Sequence, residues 1–129
     1  MPKFKFNKII RDDMIAMYEE LGQVAVYRTL SGDALIEAVI QKIIEEVKEV
    51  PINGDRNVII KEIADVQQGL VDLMSHLCIS DTEVEGARLA KLAKKGGFAR
   101  GVFVETLTLS DDDSWTDYYR AEPDKYPEI

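Results

Sequence analysis

The sequence contains a single cysteine and a single histidine, and this scarcity excludes several kinds of site. One thiol, Cys78, cannot form a disulfide within the chain or fill a four-cysteine zinc site. Any Ser-His-Asp triad would have to use His76. The chain also lacks a run of about 18 apolar residues, and residues 1–5 contain no apolar signal core. We therefore expect a cytoplasmic protein in a reducing compartment.

Basic residues are outnumbered, with 16 Lys and Arg against 24 Asp and Glu, and the net charge is −8. Binding to the phosphates of a nucleic-acid polymer needs a basic surface, so this balance argues against such a partner. Residues 110–129 contain seven acidic and two basic residues, whereas residues 1–109 contain 17 and 14. We therefore divide the chain into a body, residues 1–109, in which acidic and basic residues nearly balance, and an acidic, aromatic C-terminal tail, residues 110–129.

Apolar residues recur at spacings of three and four in four segments, which predicts four helices. They cover about residues 8–21, 34–50, 56–79 and 80–95. Asp33 and Asp55 are the predicted N-caps of the second and third helices. Ser80 and Glu83 form a capping box at the start of the fourth helix. The short turn at residues 51–55 makes the second and third helices antiparallel neighbours.

Two short segments, residues 24–30 and 102–109, are rich in β-branched and aromatic residues and predict strands. Isolated strands need a partner, so we expect these two to pair. The predicted fold class is all-α, an antiparallel bundle of about four helices with a small two-stranded β appendage. Six apolar residues lie off the main helical stripes and predict that a partner subunit covers them: Leu35, Val39, Ile44, Ile60, Val71 and Met74.

Five carboxylates occur at helical spacing on the second and third helices: Glu45, Glu46, Glu49, Glu62 and Asp65. Side chains three or four residues apart share one helical face, so the two sets are expected to face each other across the turn. Clustered carboxylates repel one another unless a cation is present, and ligands that are all oxygen select hard ions such as Mg²⁺. An ordinary solvated acidic face is the alternative.

The spacing of these carboxylates resembles the EExxE…ExxD signature of the all-α NTP pyrophosphohydrolases, the MazG-like superfamily. Residues 6–12, FNKIIRD, resemble the YNKLVRD opening of a small subgroup related to phosphoribosyl-ATP pyrophosphohydrolases. Residues 91–105 resemble the KxxxRGGF…GIYLE ending of that subgroup. The resemblance covers about residues 4–106. It departs at Asp13, where the subgroup usually has Lys, and in the tail, which has no counterpart.

The resemblance implies that residues 1–109 form an all-α, Mg²⁺-dependent pyrophosphohydrolase domain, with Mn²⁺ as a substitute, that assembles into a homodimer or homotetramer. It implies cleavage of a standard or modified nucleoside triphosphate to the monophosphate and pyrophosphate. The metal ligands that it implies are Glu46, Glu49, Glu62 and Asp65. Glu45 would lie beside them, and we expect Glu45 or Asp72 to orient or deprotonate the attacking water.

Basic residues suited to substrate phosphates occur at both ends of the predicted body. Lys8 and Arg11 share one face of the predicted first helix, with a surface ion pair as the alternative role. The fourth helix ends in a lysine patch, for which stabilisation of the helix C-terminus is the alternative: Lys91, Lys94 and Lys95.

Three aromatic residues of the tail are spaced on one face of a short helix: Trp115, Tyr118 and Tyr119. They are weak candidates for stacking on a base, and packing of the tail onto the body or onto a partner is the alternative. Two further functions stay open. One is hydrolysis of phosphoribosyl-ATP specifically, and the other is a non-catalytic helical protein-interaction module.

Overall fold

The computed structural model describes all 129 residues and contains five helices and no strand. The helices are α1 (Met14–Glu20), α2 (Gly32–Glu49), α3 (Arg56–His76), α4 (Asp81–Lys95) and α5 (Trp115–Arg120). The predicted all-α class is therefore confirmed, whereas a four-helix bundle is not. None of the helices combines the length and apolar composition needed to cross a membrane. Residues 1–90 and 91–129 form two compact units, which are described separately.

The first unit is built on the hairpin of α2 and α3, which pack against each other on either side of the turn at residues 50–55. Asp55 caps α3 as predicted, because its Oδ1 accepts a hydrogen bond of 3.0 Å from the backbone N–H of Asn57. Val39, in the middle of α2, is the one buried hydrophobic residue, with 5% of its surface exposed. The hairpin thus has a narrow core.

Gly69 lies where a side chain of α2 approaches the backbone of α3 closely. A Cβ atom at this position would lie 2.6 Å from Cγ1 of Ile43, well inside contact distance. The absence of a side chain on α3 therefore makes room for a β-branched side chain on α2, and the two helices approach closely at this level.

Several predicted helix boundaries need correction. Residues 8–13 are not helical, so the first helix starts at Met14 rather than at Lys8. The N-cap of α2 is Ser31, whose backbone is extended, and Asp33 instead lies in the first turn, where a negative charge favours the helix N-terminus. α3 ends at His76, because the backbone turns left-handed at Cys78, with φ of 56°.

The start of α4 agrees with its prediction. The Ser80 N–H donates to Oε2 of Glu83 at 2.8 Å, and the Glu83 N–H donates to Oγ of Ser80 at 3.2 Å. This reciprocal pair is the predicted capping box, and it satisfies two backbone donors at the helix start. α4 has no buried residue along its 15 positions.

The two segments predicted as strands, residues 24–30 and 102–109, form no strand. They belong to different compact units, and their valines are exposed, 93% at Val26 and 76% at Val102. β-Branched residues favour a strand only where a second strand accepts the hydrogen bonds and packs against the side chains. The prediction of a two-stranded appendage therefore fails for lack of pairing, although both segments are correctly placed outside the helices.

Four aromatic rings organise the second unit: Trp115, Tyr118, Tyr119 and Tyr126. The closest pair is Tyr119 with Tyr126, whose ring centroids are 4.9 Å apart in an edge-to-face arrangement. Arg120 donates two hydrogen bonds, of 2.7 and 3.0 Å, to the carboxylate of Glu128. The tail is therefore folded on itself around α5, the short helix that its aromatic spacing predicted.

The close approach at Gly69 leads to a test of the hairpin. We expect Gly69→Ala to lower the free energy of unfolding by about 1–2 kcal/mol, because overpacking outweighs the gain in helix propensity. Gly86→Ala on α4 is the matched control, since nothing lies within 4 Å of its added Cβ. That variant should gain about 0.5–1 kcal/mol in urea unfolding. Equal stabilisation by both substitutions would contradict the close packing.

Candidate metal centre

Three glutamates from two helices meet beside the α2–α3 turn. Glu46 and Glu49 lie one turn apart on α2, and Glu62 lies near the start of α3. Each offers a carboxylate oxygen, and the three oxygens lie within 4.8 Å of one another. The predicted spacing therefore does bring these three side chains together, and we call them the glutamate group.

Two oxygens of the glutamate group are buried without a hydrogen-bond partner. They are Oε2 of Glu46 and Oε2 of Glu62. Glu46 exposes only 8% of its surface, which is rare for an acidic residue at the end of a helix. A buried carboxylate oxygen without a donor costs free energy, and a cation is one group that could supply the missing interaction.

Repulsion within the group is visible in the ionisation of Glu62. Its pKa is raised above the ordinary value of 4.5, first by its partial loss of water contact and then by the negative charges of Glu49, Asp65 and Glu46. A metal ion that neutralised these charges would remove the cause of this shift. The residues present therefore fit a hard divalent ion.

Three basic side chains flank the glutamate group and pair with the carboxylates around it. Lys8 donates to Oε1 of Glu45 at 2.8 Å, and Arg11 donates to Oδ1 of Asp65 at 2.6 Å. Both basic residues precede α1 and reach α2 and α3 from a non-helical segment. The prediction that Lys8 and Arg11 share one face of a helix is therefore wrong. Both residues nevertheless lie at the site. Neither forms the predicted alternative, an ion pair with an acidic residue close to it in the sequence.

The third basic side chain, Lys42, was missed by the sequence analysis. Its Nζ lies 3.0 Å from Oε1 of Glu46 and 3.4 Å from Oε1 of Glu45. Burial opposes the charge of Lys42, but the hydrogen bond to Glu46 and the two carboxylate charges outweigh it and raise its pKa. Its position three and four residues before two glutamates was the available signal.

Glu45 and Asp65 lie next to the glutamate group but are engaged elsewhere. The hydrogen bond from Lys8 is the main cause that lowers the pKa of Glu45, so this carboxylate stays ionised at neutral pH. Asp65 is turned towards Arg11. The predicted role of Glu45 beside the metal ligands agrees with this placement, whereas Asp65 would have to release Arg11 before it could ligate an ion.

The remaining predicted site residues lie outside the glutamate group. Asp72 is ten residues beyond Glu62 on α3, or about 15 Å along the helix axis, and accepts a hydrogen bond of 3.3 Å from Gln68. The lysine patch at the end of α4, formed by Lys91, Lys94 and Lys95, is exposed and makes no ion pair. The tail aromatics Trp115, Tyr118 and Tyr119 pack on one another.

An open cleft of about 630 Å³ adjoins Glu45 and Lys42. It lies between α2 and two loop segments, residues 6–9 and 28–30. Four basic residues line it, against two acidic ones: Lys8, Arg28, Lys42, Lys48, Glu37 and Glu45. In a chain with a net charge of −8, a cleft with this surplus of basic groups favours an anionic ligand.

No family model, no curated protein and no solved structure matches the chain. The chemistry of the site is therefore inferred from its own residues. These are three converging glutamates with two unpartnered buried oxygens, three basic side chains around them, and a basic cleft alongside. Together they are able to hold a divalent ion and an anion next to each other.

The repulsion at Glu62 predicts that Glu62→Gln stabilises the metal-free protein at pH 7. Because folding raises the pKa of this carboxyl, ionisation disfavours the fold, and wild-type stability falls as the pH rises above about 4.5. The variant lacks this loss, so its advantage in melting temperature should widen between pH 4 and pH 7. The melting temperatures of wild type and variant are measured by circular dichroism in the presence of EDTA.

Glu85→Gln is the control for this experiment, because the ion pair with Arg88 lowers the pKa of Glu85. That substitution should leave the melting temperature at pH 7 unchanged or slightly lower, since an exposed pair contributes little. A Glu62→Gln variant that melts below wild type in EDTA at pH 7 would contradict repulsion within the glutamate group.

Proposed function

We propose that the protein is a Mg²⁺-dependent nucleotide pyrophosphohydrolase, which cleaves the α–β phosphoanhydride of a nucleoside triphosphate and releases the monophosphate and pyrophosphate. The observation that supports this most is the glutamate group, with the buried and unpartnered Oε2 of Glu46. The resemblance of residues 4–106 to the MazG-like superfamily supplies the reaction class, because the same glutamates form its signature.

In this proposal Glu46, Glu49 and Glu62 hold the ion. Bound Mg²⁺ would supply neutralisation of phosphate charge and a water of lowered pKa. Glu45 lies beside these ligands, stays ionised because Lys8 donates to it, and would be placed to orient an attacking water. Asp65 is the candidate fourth ligand, and its engagement with the ion would free Arg11 for the substrate.

Lys8 and Arg11 are the proposed phosphate contacts. The guanidinium of Arg11 belongs to a side chain that is 61% exposed, so it is able to turn from Asp65 to a phosphate oxygen at little cost. Lys8 lines the basic cleft and pairs with Glu45, the residue that precedes Glu46 of the glutamate group. The lysine patch at the end of α4 stays a prediction as a further phosphate contact. Charge neutralisation and positioning are the main requirements of phosphoryl chemistry.

We also propose that the protein works as a homodimer or homotetramer. Val39 alone among the hydrophobic residues is buried, and both helices of the hairpin expose apolar side chains. Among the six off-stripe residues, Leu35 and Met74 are half-buried, whereas three are exposed by 41–50%: Ile44, Ile60 and Val71. A second copy that covered them would complete the predicted packing of four helices.

The same exposed apolar residues favour the alternative of a non-catalytic interaction module, and a Mg²⁺ response separates the two. A module should melt at the same temperature with and without Mg²⁺, at matched ionic strength. If the glutamate group binds Mg²⁺, the ion relieves the repulsion between the carboxylates, and the protein should melt several degrees higher when Mg²⁺ is added. Hydrolysis of phosphoribosyl-ATP, the other alternative, uses the same residues, so only a comparison of substrates decides between the two enzymes.

Glu49→Gln should lower pyrophosphate release at saturating Mg²⁺ by at least about 100-fold, because it removes one ligand of the ion. Glu62→Gln should do the same while it stabilises the metal-free fold. The measurement is pyrophosphate release from a panel of nucleoside triphosphates and phosphoribosyl-ATP, with Glu85→Gln as the active control. Near wild-type turnover of either glutamate variant would show that the site is wrongly assigned.

Assembly should be visible in solution. Light scattering at micromolar concentration is expected to give a dimer or tetramer, and Val71→Lys should shift it towards monomer, because an apolar interface disfavours an ammonium group. Ile52→Lys is the control, since Ile52 is exposed in the turn outside both helices. A clean wild-type monomer of 14.6 kDa would contradict the proposed assembly.

A further inference from the structure

Lys42 places a positive charge against the glutamate group from within the same helix. Its Nζ contacts both Glu46, at 3.0 Å, and Glu45, at 3.4 Å. Only 25% of the Lys42 side chain and 10% of the Glu46 side chain are exposed, so solvent weakens this pair less than an ordinary surface pair. We propose that Lys42 is a built-in cation that limits the free protein to one divalent ion per chain. This inference rests on the proposed metal site.

The two oxygens of Glu46 have different surroundings, and this difference supports the proposal. Oε1 pairs with Lys42, whereas Oε2 is buried without a partner. The unpartnered Oε2 of Glu62 and the carboxylate of Glu49 belong to the same group. These oxygens of the glutamate group therefore form one set without a basic partner, and that set is large enough for a single ion.

The other two carboxylates are each paired with a basic group. Oε1 of Glu45 is shared between Lys8 and Lys42, and Oδ1 of Asp65 is taken by Arg11. A second ion on these carboxylates would therefore meet the positive charge of a basic side chain at each of them. Displacing Lys42 would leave its ammonium half-buried without a partner, which is unfavourable.

The net charge of the site also indicates one divalent ion per chain. Five carboxylates and three basic side chains leave two negative charges at the site, which one divalent ion balances. A second ion would make the site positive before any substrate arrived, and repulsion between the two ions would oppose it. Any further divalent ion would therefore enter together with the negative charges of a substrate.

Lys42 differs in two ways from the other two basic residues at the site. Lys8 and Arg11 belong to a segment outside the helices and are 40% and 61% exposed, so they are able to turn to a ligand. Lys42 is fixed on α2, one turn before its two glutamates. It is therefore a positioning residue for Glu45 and Glu46, and we assign it no contact with the reacting phosphates.

Mn²⁺ titration without nucleotide, followed by the electron paramagnetic resonance of free Mn²⁺, tests the proposal. Wild type should bind one Mn²⁺ per chain. Lys42→Gln should bind a second Mn²⁺ and should bind its first at least tenfold more tightly, because the ions no longer share Glu45 and Glu46 with an ammonium group. Lys42→Arg keeps the charge and should bind like wild type. Lys61→Gln, which removes an exposed lysine of α3 that makes no ion pair, should also bind like wild type.

The outcomes separate the inference from the proposed function. Two Mn²⁺ per wild-type chain would overturn the inference and leave the metal site standing. Unchanged or weaker binding by Lys42→Gln would also overturn it, because that result would assign Lys42 a purely structural role. No binding by wild type at millimolar Mn²⁺ would overturn the metal site and the inference together. Two Mn²⁺ per wild-type chain would overturn the inference even where a variant folds poorly, and the charge-keeping Lys42→Arg shows whether the site tolerates a change at this position.

Discussion

Repulsion between carboxylates gathered at one end of the α2–α3 hairpin is the interaction on which the rest of the structure depends. Three glutamate oxygens lie within 4.8 Å of one another, and the pKa of Glu62 is raised first by its partial loss of water contact and then by the neighbouring negative charges. Packing at Val39 and the close approach at Gly69 hold the two helices together against this repulsion. Three basic side chains offset part of it, and in our proposal a divalent ion offsets the rest.

The three basic residues around the site differ in how they are held, and this difference separates a structural role from a role towards the substrate. Lys42 is fixed on α2, while Lys8 and Arg11 reach the carboxylates from a segment without helical structure. Lys8 and Arg11 are the more exposed of the three, so in our proposal they exchange a carboxylate for a phosphate, while Lys42 stays paired with Glu46. Residues 8–13 gain this reach because they are not part of α1.

The features that could be predicted from the sequence depend on neighbours in the chain. The cap at Asp55, the capping box at Ser80 and the shared face of Glu46 and Glu49 all follow from spacings of two to four residues. The pairing of Arg11 with Asp65 spans 54 residues, and no local spacing encodes it. The strand prediction failed for the related reason that a strand exists only through a distant partner.

The central claim, that Glu46, Glu49 and Glu62 hold a divalent ion, is tested most directly by crystals grown with Mn²⁺ and measured for anomalous scattering. The account predicts an anomalous peak within coordination distance of oxygens from all three glutamates, with Lys42 still paired to Glu46. A well-ordered glutamate group without such a peak at millimolar Mn²⁺, or a peak bound only by residues elsewhere, would contradict it.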